Sequence, residues 1–154
     1  MNTNKALPST EKPVKERLEL VRSSFSYMLN EHIRVYKFYY QLYEKERKDK
    51  GKLPYYPDGI SLYDENDKID WRIIRRFMPF DIETFFKKEY HELNKNEIRL
   101  CCLLYLNVES TTISKILPYR QKSITVIKFN IRKKTGLKDL NDMFDRISPY
   151  FISK

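Results

Sequence analysis

The residues best placed to do chemistry lie between Arg120 and Lys138. That stretch carries seven cations, Arg120, Lys122, Lys128, Arg132, Lys133, Lys134 and Lys138, and no acidic residue. Ile124, Ile127 and Ile131 recur within it at steps of three and four, the apolar stripe of a helix. Thr125, Lys128, Phe129 and Arg132 are then expected to project away from that stripe. A solvated helix face usually mixes signs. One-sign enrichment opposite an apolar stripe fits a polyanion, with cations on phosphates and a few side chains on base edges. The whole chain has the same bias, with 30 Lys and Arg against 21 Asp and Glu and a net charge of +9.

Other reactive residue types are poorly arranged. Cys101 and Cys102 are adjacent, with no further cysteine for a framework, and read as reduced thiols. His32 and His91 lie too far apart for zinc-ligand spacing. Glu31 with His32, or Glu89 with His91, could form acid–base pairs. No glycine-rich phosphate loop, nucleophile constellation or metal cluster accompanies them, so an enzyme is not expected and no cofactor or metal is implied. No apolar run has the length of a signal peptide or a membrane span, so a cytoplasmic protein is expected.

The elements that must position the basic stretch read as all-α. Three glycines in 154 residues, with many long charged side chains, favour helix. Residues 1–13 are polar and read as a disordered lead-in. From Val14 to Lys50 there is neither Pro nor Gly. Leu18, Val21, Phe25, Met28, His32, Val35, Tyr39 and Leu42 alternate steps of three and four, a heptad seam. A second stripe, Leu29, Tyr36, Tyr40 and Tyr43, lies beside it. This width predicts packing on other helices of the chain or a broad homodimer interface, with His32 as a packed, hydrogen-bonded imidazole. "GKLPYYPDGI" reads as a hinge within 51–66, its Tyr55 and Tyr56 docking on the core.

A helical lead-in is expected over 67–92. Asp67 or Asp70 caps "WRIIRRF", with Trp71, Ile74 and Phe77 inward and Pro79 as the stop. Asp81 caps "IETFFKKEYHE", with Ile82, Phe85, Phe86 and Tyr90 inward. Arg72, Arg75, Arg76, Lys87 and Lys88 are expected on solvated sides. The segment 93–154 is expected to form the binding domain. Asn94 and Glu97 make a capping-box pair ahead of a helix containing Ile98, Cys101, Cys102, Leu104 and Tyr105. Ser110 is the expected cap of a short brace helix whose inward residues are Ile113, Ser114, Ile116 and Leu117. Pro118 blocks its continuation. A longer helix follows from about Lys122 to Thr135, with Gly136 as its C-cap. One last helix, "LKDLNDMFDRI", is expected to end at Pro149.

A short helix, a turn and a longer basic helix is the order of a helix-turn-helix. From Leu93 to Leu137 the sequence resembles, without a gap, the LuxR/GerE-type domain, in the version found at the C-terminus of large bacterial sensor regulators. "LNKNEIRLCCLLYLNVESTTISKIL" is similar to that family's opening, and "SITVIKFNIRKKTGL" to its recognition helix. Trp71 and "FFKKEYHEL" resemble the aromatic-rich lead-in upstream. The resemblance implies a four-helix domain and a DNA-binding transcriptional regulator. It places Lys122, Thr125, Val126, Lys128 and Phe129 toward the major groove, and Arg132 and Lys133 on phosphates. It also assigns the backbone of Ser110, Thr111 and Thr112 to phosphate contact. Pro118, Tyr119 and Arg120 stand where the family usually has Asn-Ile-Ser, Ser114 where it has Ala, and Thr135 where it has an apolar residue. These departures bear on groove fit. The implied partners are double-stranded DNA and a second copy held through the N-terminal helix, with a protein partner as a source of signal and no membrane. The alternative is a helical protein-interaction module with a DNA-silent helix-turn-helix.

Overall fold

A computed structural model of the chain describes residues 11–50, 62–78 and 81–152; the side chains of residues 11, 12, 40, 43, 44 and 46–50 lie outside that description. The expectations for residues 1–10, for most of the hinge with Tyr55 and Tyr56, for the stop at Pro79, and for the Tyr40 and Tyr43 side chains fall outside it too. The described residues are mostly helical and contain no strand, only an isolated bridge between Tyr63 and Ile69.

The long helix α1 spans Glu11–Lys50. At 1.5 Å per residue its 40 residues reach about 60 Å. It starts two residues before Pro13, inside the expected lead-in. Pro is tolerated there because first-turn amides have no intrahelical acceptor to lose. The predicted seam divides along its length. Leu18 and Phe25 are buried, whereas Met28, Val35, Tyr39 and Leu42 are exposed. The buried stripe continues instead through Leu29 and Ile33. The reason is geometric: a strict heptad drifts by about 20° per repeat on a straight helix. His32 is packed as expected but not buried. Its ring centroid lies 4.2 Å from that of Phe77, and its Nδ1 is 3.1 Å from the Met28 carbonyl oxygen.

Helices α2 (Trp71–Arg76) and α3 (Ile82–Glu89) follow the expected caps. The Asp70 side chain accepts from the Arg72 amide, and Asp81 from the Thr84 amide. Trp71, Ile73, Ile74, Ile82, Phe85 and Phe86 are buried. The basic side chains here are exposed yet engaged. Arg72 pairs with Asp70 at 2.9 Å, and Arg75 with Glu83 at 3.0 Å. Glu83 is buried and also accepts from Trp71 Nε1 at 3.2 Å. Burial alone would raise its pKa; the hydrogen bonds from Arg75 and Trp71 more than offset this and hold it below the ordinary carboxylate range.

Helix α4 (Lys95–Tyr105) opens on the complete capping box of Asn94 and Glu97. Its exit is a Schellman turn. Asn107, at φ 60°, sends its amide to the Leu104 carbonyl, and the Val108 amide reaches Leu103. Helix α5 (Ser110–Ile116) follows. A 3₁₀ turn (Gln121–Ser123) leads into α6 (Ile124–Thr135). Gly136 closes α6 at φ 75° with its amide on Arg132. A Cβ there would meet nothing within 4 Å, so the cost of Gly136→Ala is backbone strain alone. Chemical denaturation is expected to show a loss of about 1 kcal/mol.

The expected single last helix is two, α7 (Asn141–Phe144) and α8 (Ile147–Ile152). Pro149 lies inside α8 instead of ending a helix. It is the third residue of α8, where the first-turn amide has no carbonyl to reach. One continuous core runs through these elements. Phe85, Phe86, Phe144, Tyr105 and Tyr150 form its aromatic centre, with neighbouring ring centroids 5.1–6.3 Å apart. Cys101 and Cys102 are free and buried in it, and burial pushes the Cys101 thiol up to about 12, so it is not a reactive thiolate.

The N-terminal helix belongs to this body. It packs on α8, and Arg22 Nε donates to the Tyr105 carbonyl at 2.7 Å. The Arg22 guanidinium sits 4.3 Å from the Tyr105 ring centroid, and Asn107 Nδ2 donates to the Arg22 carbonyl at 3.1 Å.

Candidate nucleic-acid interface

The candidate surface is built on α6, and two devices fix that helix. Ile124 and Ile131 are buried and Ile127 is partly buried, which anchors the inner face as the spacing predicts. Lys134 Nζ donates to Glu97 at 2.8 Å, tying the last turn of α6 to the capping box of α4. One of the seven cations is therefore structural.

Helix α5 braces the unit. Ile113, Ile116 and Leu117 are buried, with Ser114 half-buried, as the inward set requires. Its C-terminal carbonyls are strapped by the segment before α2. Lys68 Nζ donates to the Ser114 carbonyl at 2.9 Å, and the Ile69 amide to Lys115 at 2.9 Å. The strap holds its own turn through Asp64, whose Oδ1 accepts from the Asn66 and Lys68 amides. Between α5 and α6, Pro118 and Arg120 are exposed while Tyr119 packs on the core. The Ser123 amide closes back on the Arg120 carbonyl at 2.9 Å. Pro118 is thus accommodated within a compact turn.

The outward face of α6 differs in part from expectation. Lys122, Thr125, Val126, Phe129 and Lys133 are all exposed, Val126 at 58% and Phe129 at 55%. Lys128 and Arg132 are not on the crest. Both are half-buried and line a cleft with Leu104, Asp139, Leu140 and Phe144. At 100° per residue, Lys128 follows Ile124 by four and precedes Ile131 by three, so it flanks the inner stripe. Arg132 lies one turn further on, its guanidinium 5.9 Å from the Phe129 ring centroid. These two form one edge of the basic surface.

Asn130 is a further residue of this face that the charge pattern does not single out. It is exposed, on the same side as Val126 and Lys133, and its side chain makes no hydrogen bond among the described residues. The signal was available, since Val126, Asn130 and Lys133 are four and three apart.

At the start of α5 the expectation is corrected. Ser110 is the first helical residue and not the cap; Glu109 occupies that place without a side-chain bond. Thr112 is buried, Ser110 half-buried and only Thr111 exposed. A carboxylate beside this helix start opposes an incoming phosphate.

No family model, curated protein or solved structure matches this chain. The functional assignment of α6 therefore rests on its own residues. What they offer is a ridge with Thr125, Val126, Phe129 and Asn130 at its crest and Lys122 and Lys133 at its ends. Arg120 and Lys138 are exposed beyond those ends. Among the described residues no acidic partner neutralises Lys122 or Lys133. No group of three His, Cys, Asp or Glu there could hold a metal ion, and no helix there is long and apolar enough to cross a membrane.

Proposed function

We propose that this chain is a DNA-binding transcriptional regulator with a LuxR-like helix-turn-helix, in which α5 is the brace and α6 enters the major groove. The observation that carries this reading is the carboxylate-free crest of α6. A helix lying in the groove needs short or flat side chains at its centre and cations at its margins, where the phosphates run. Lys122 and Lys133 have those marginal positions, with Arg120 and Lys138 beyond them. Asn130 has the donor–acceptor pair that suits adenine, and Val126 and Phe129 suit a thymine methyl. Lys128 and Arg132 support the edge nearest α7 by charge. Ser110 to Thr112 contribute little, because Glu109 stands before them.

Selection of bound duplexes from a random pool, using the full chain, tests this directly. The expected result is an enriched consensus. A pool that stays random after repeated rounds contradicts sequence-specific reading.

The exposed Val126 and Phe129 support one rival, a helical interaction module that uses the same crest on a protein. It predicts binding nearly independent of salt and no retention of duplex DNA. Ionic strength separates the two, since phosphate contacts release counterions and apolar contacts do not.

A further inference from the structure

The cleft between α6 and α7 lies off the α6 crest, and its lining is chemically specific. Lys128 and Arg132 stand on its α6 wall, both half-buried. They are four residues apart on one helix, a spacing at which like charges repel. Neither side chain has an acidic partner or donates a hydrogen bond among the described residues. The carboxylate that lines the cleft, Asp139, is engaged at the start of α7, where its Oδ1 accepts from the Asn141 amide at 2.9 Å. Leu104, Leu140 and Phe144 supply the apolar lining, and Leu104 and Phe144 stay partly exposed. Two cations without an anion thus adjoin uncovered apolar surface.

That combination selects the occupant. At 100° per residue, Lys128 and Arg132 project roughly 90–130° from the middle of the α6 crest, so a duplex on the crest lies away from them. A duplex backbone also brings no apolar group to Leu104, Leu140 and Phe144. The cleft has a volume of about 250 Å³, below the roughly 300–1,000 Å³ of sites for drug-sized ligands. We propose that it binds a small organic anion, a carboxylate or phosphate ester carrying one ring or a short chain. The oxyanion lies between Lys128 and Arg132. The guanidinium offers it a planar pair of donors, and the ammonium a point charge. The apolar body covers Leu104 and Phe144. Bound there, the anion relieves the repulsion between the two cations. The site does not depend on the DNA reading and stands or falls separately from it.

Titration of the full chain with phenyl phosphate at constant ionic strength, followed by amide resonances, tests it. Saturable binding is expected, with shifts at Leu104 and from Leu140 to Phe144. Inorganic phosphate, which lacks the body, and benzyl alcohol, which lacks the charge, are each expected to bind at least tenfold more weakly. Lys128→Gln/Arg132→Gln is expected to lose at least tenfold in affinity for phenyl phosphate with unchanged helical circular dichroism. Lys88→Gln/Lys95→Gln removes the same charge from exposed positions on α3 and at the start of α4, and is expected to lose none. No saturable binding, equal binding of inorganic phosphate, or equal losses in the two double variants overturns the proposal. Duplex affinity, measured beside these, separates the sources of the oxyanion. If phenyl phosphate does not bind while Lys128→Gln/Arg132→Gln weakens duplex binding, the two cations serve a backbone phosphate, which overturns the small-anion site and leaves the DNA reading intact. Specific phenyl phosphate binding by a chain that retains no duplex supports the site and contradicts the DNA reading alone.

Discussion

Replacing Lys122 and Lys133 together with alanine is expected to weaken duplex binding by roughly ten- to a hundredfold near physiological salt. Each cation on a phosphate contributes close to one unit to the slope of log affinity against log salt. Losing two should therefore flatten that slope by about two units per chain. Both residues stand at the ends of the α6 crest, without an acidic partner among the described residues. Lys134→Ala is the informative comparison. It removes the same charge one residue from Lys133, but Lys134 is bonded to Glu97 at 2.8 Å. Its loss is expected to cost stability at the α4–α6 junction and to leave the salt slope nearly unchanged. Equal effects of Lys133→Ala and Lys134→Ala would mean that net charge, not the crest, governs affinity. Phe129→Ala should behave differently again, reducing discrimination among sequences while the slope stays the same. Titration by fluorescence anisotropy at several salt concentrations reads all three.

The second large effect concerns the lead-in. Arg75→Ala is expected to destabilise the fold by about 2 kcal/mol at neutral pH. Removing one partner of a fully buried ion pair costs roughly 3–5 kcal/mol, because the other charge stays desolvated. Here the arginine side chain is half exposed, and Lys87 remains 3.8 Å from Glu83, so the figure is discounted. The pH dependence identifies the cause. In the wild type the Glu83 carboxyl is held below the ordinary carboxylate value. Its contribution is complete above that value and is lost as pH falls through the folded-state pKa. In the variant, burial is no longer offset by the arginine, and Glu83 takes up a proton more readily. The stability gap between the two proteins should therefore shrink on acidification. Urea denaturation at several pH values tests this, and a gap independent of pH would show that Arg75 acts by packing alone.

Much of the fold was legible because it is written in local chemistry. Asp70, Asp81 and the Asn94–Glu97 box cap the helices that their spacing predicts, and Gly136 takes the left-handed conformation a C-cap needs. These signals lie within four residues of what they control. The failures depend on relations that a short window does not carry. The heptad seam of α1 was readable as a repeat, but which part the body covers depends on where Tyr105 and α8 meet it. The same holds at the site. Ile124, Ile127 and Ile131 announced the inner face, and Lys122, Thr125, Val126, Phe129 and Lys133 are exposed away from it. Lys128 and Arg132 are expected to project away from that inner stripe, yet both flank it closely enough to lie beside α7. Pro149 has the residue type of a helix stop, yet its place in the first turn of α8, not its presence, decides its effect. Ser110 is the better capping residue by type, yet Glu109 holds the place before α5.

The central claim is that the crest of α6 meets the phosphates and base edges of duplex DNA. The affinity of the full chain for duplex DNA, measured as a function of monovalent salt, tests it most directly. With Lys122 and Lys133 at the ridge ends, Arg120 and Lys138 beyond, log affinity should fall linearly with log salt at a slope of about −3 to −4 per chain. No retention at low salt, or an affinity that does not change with salt, would contradict it.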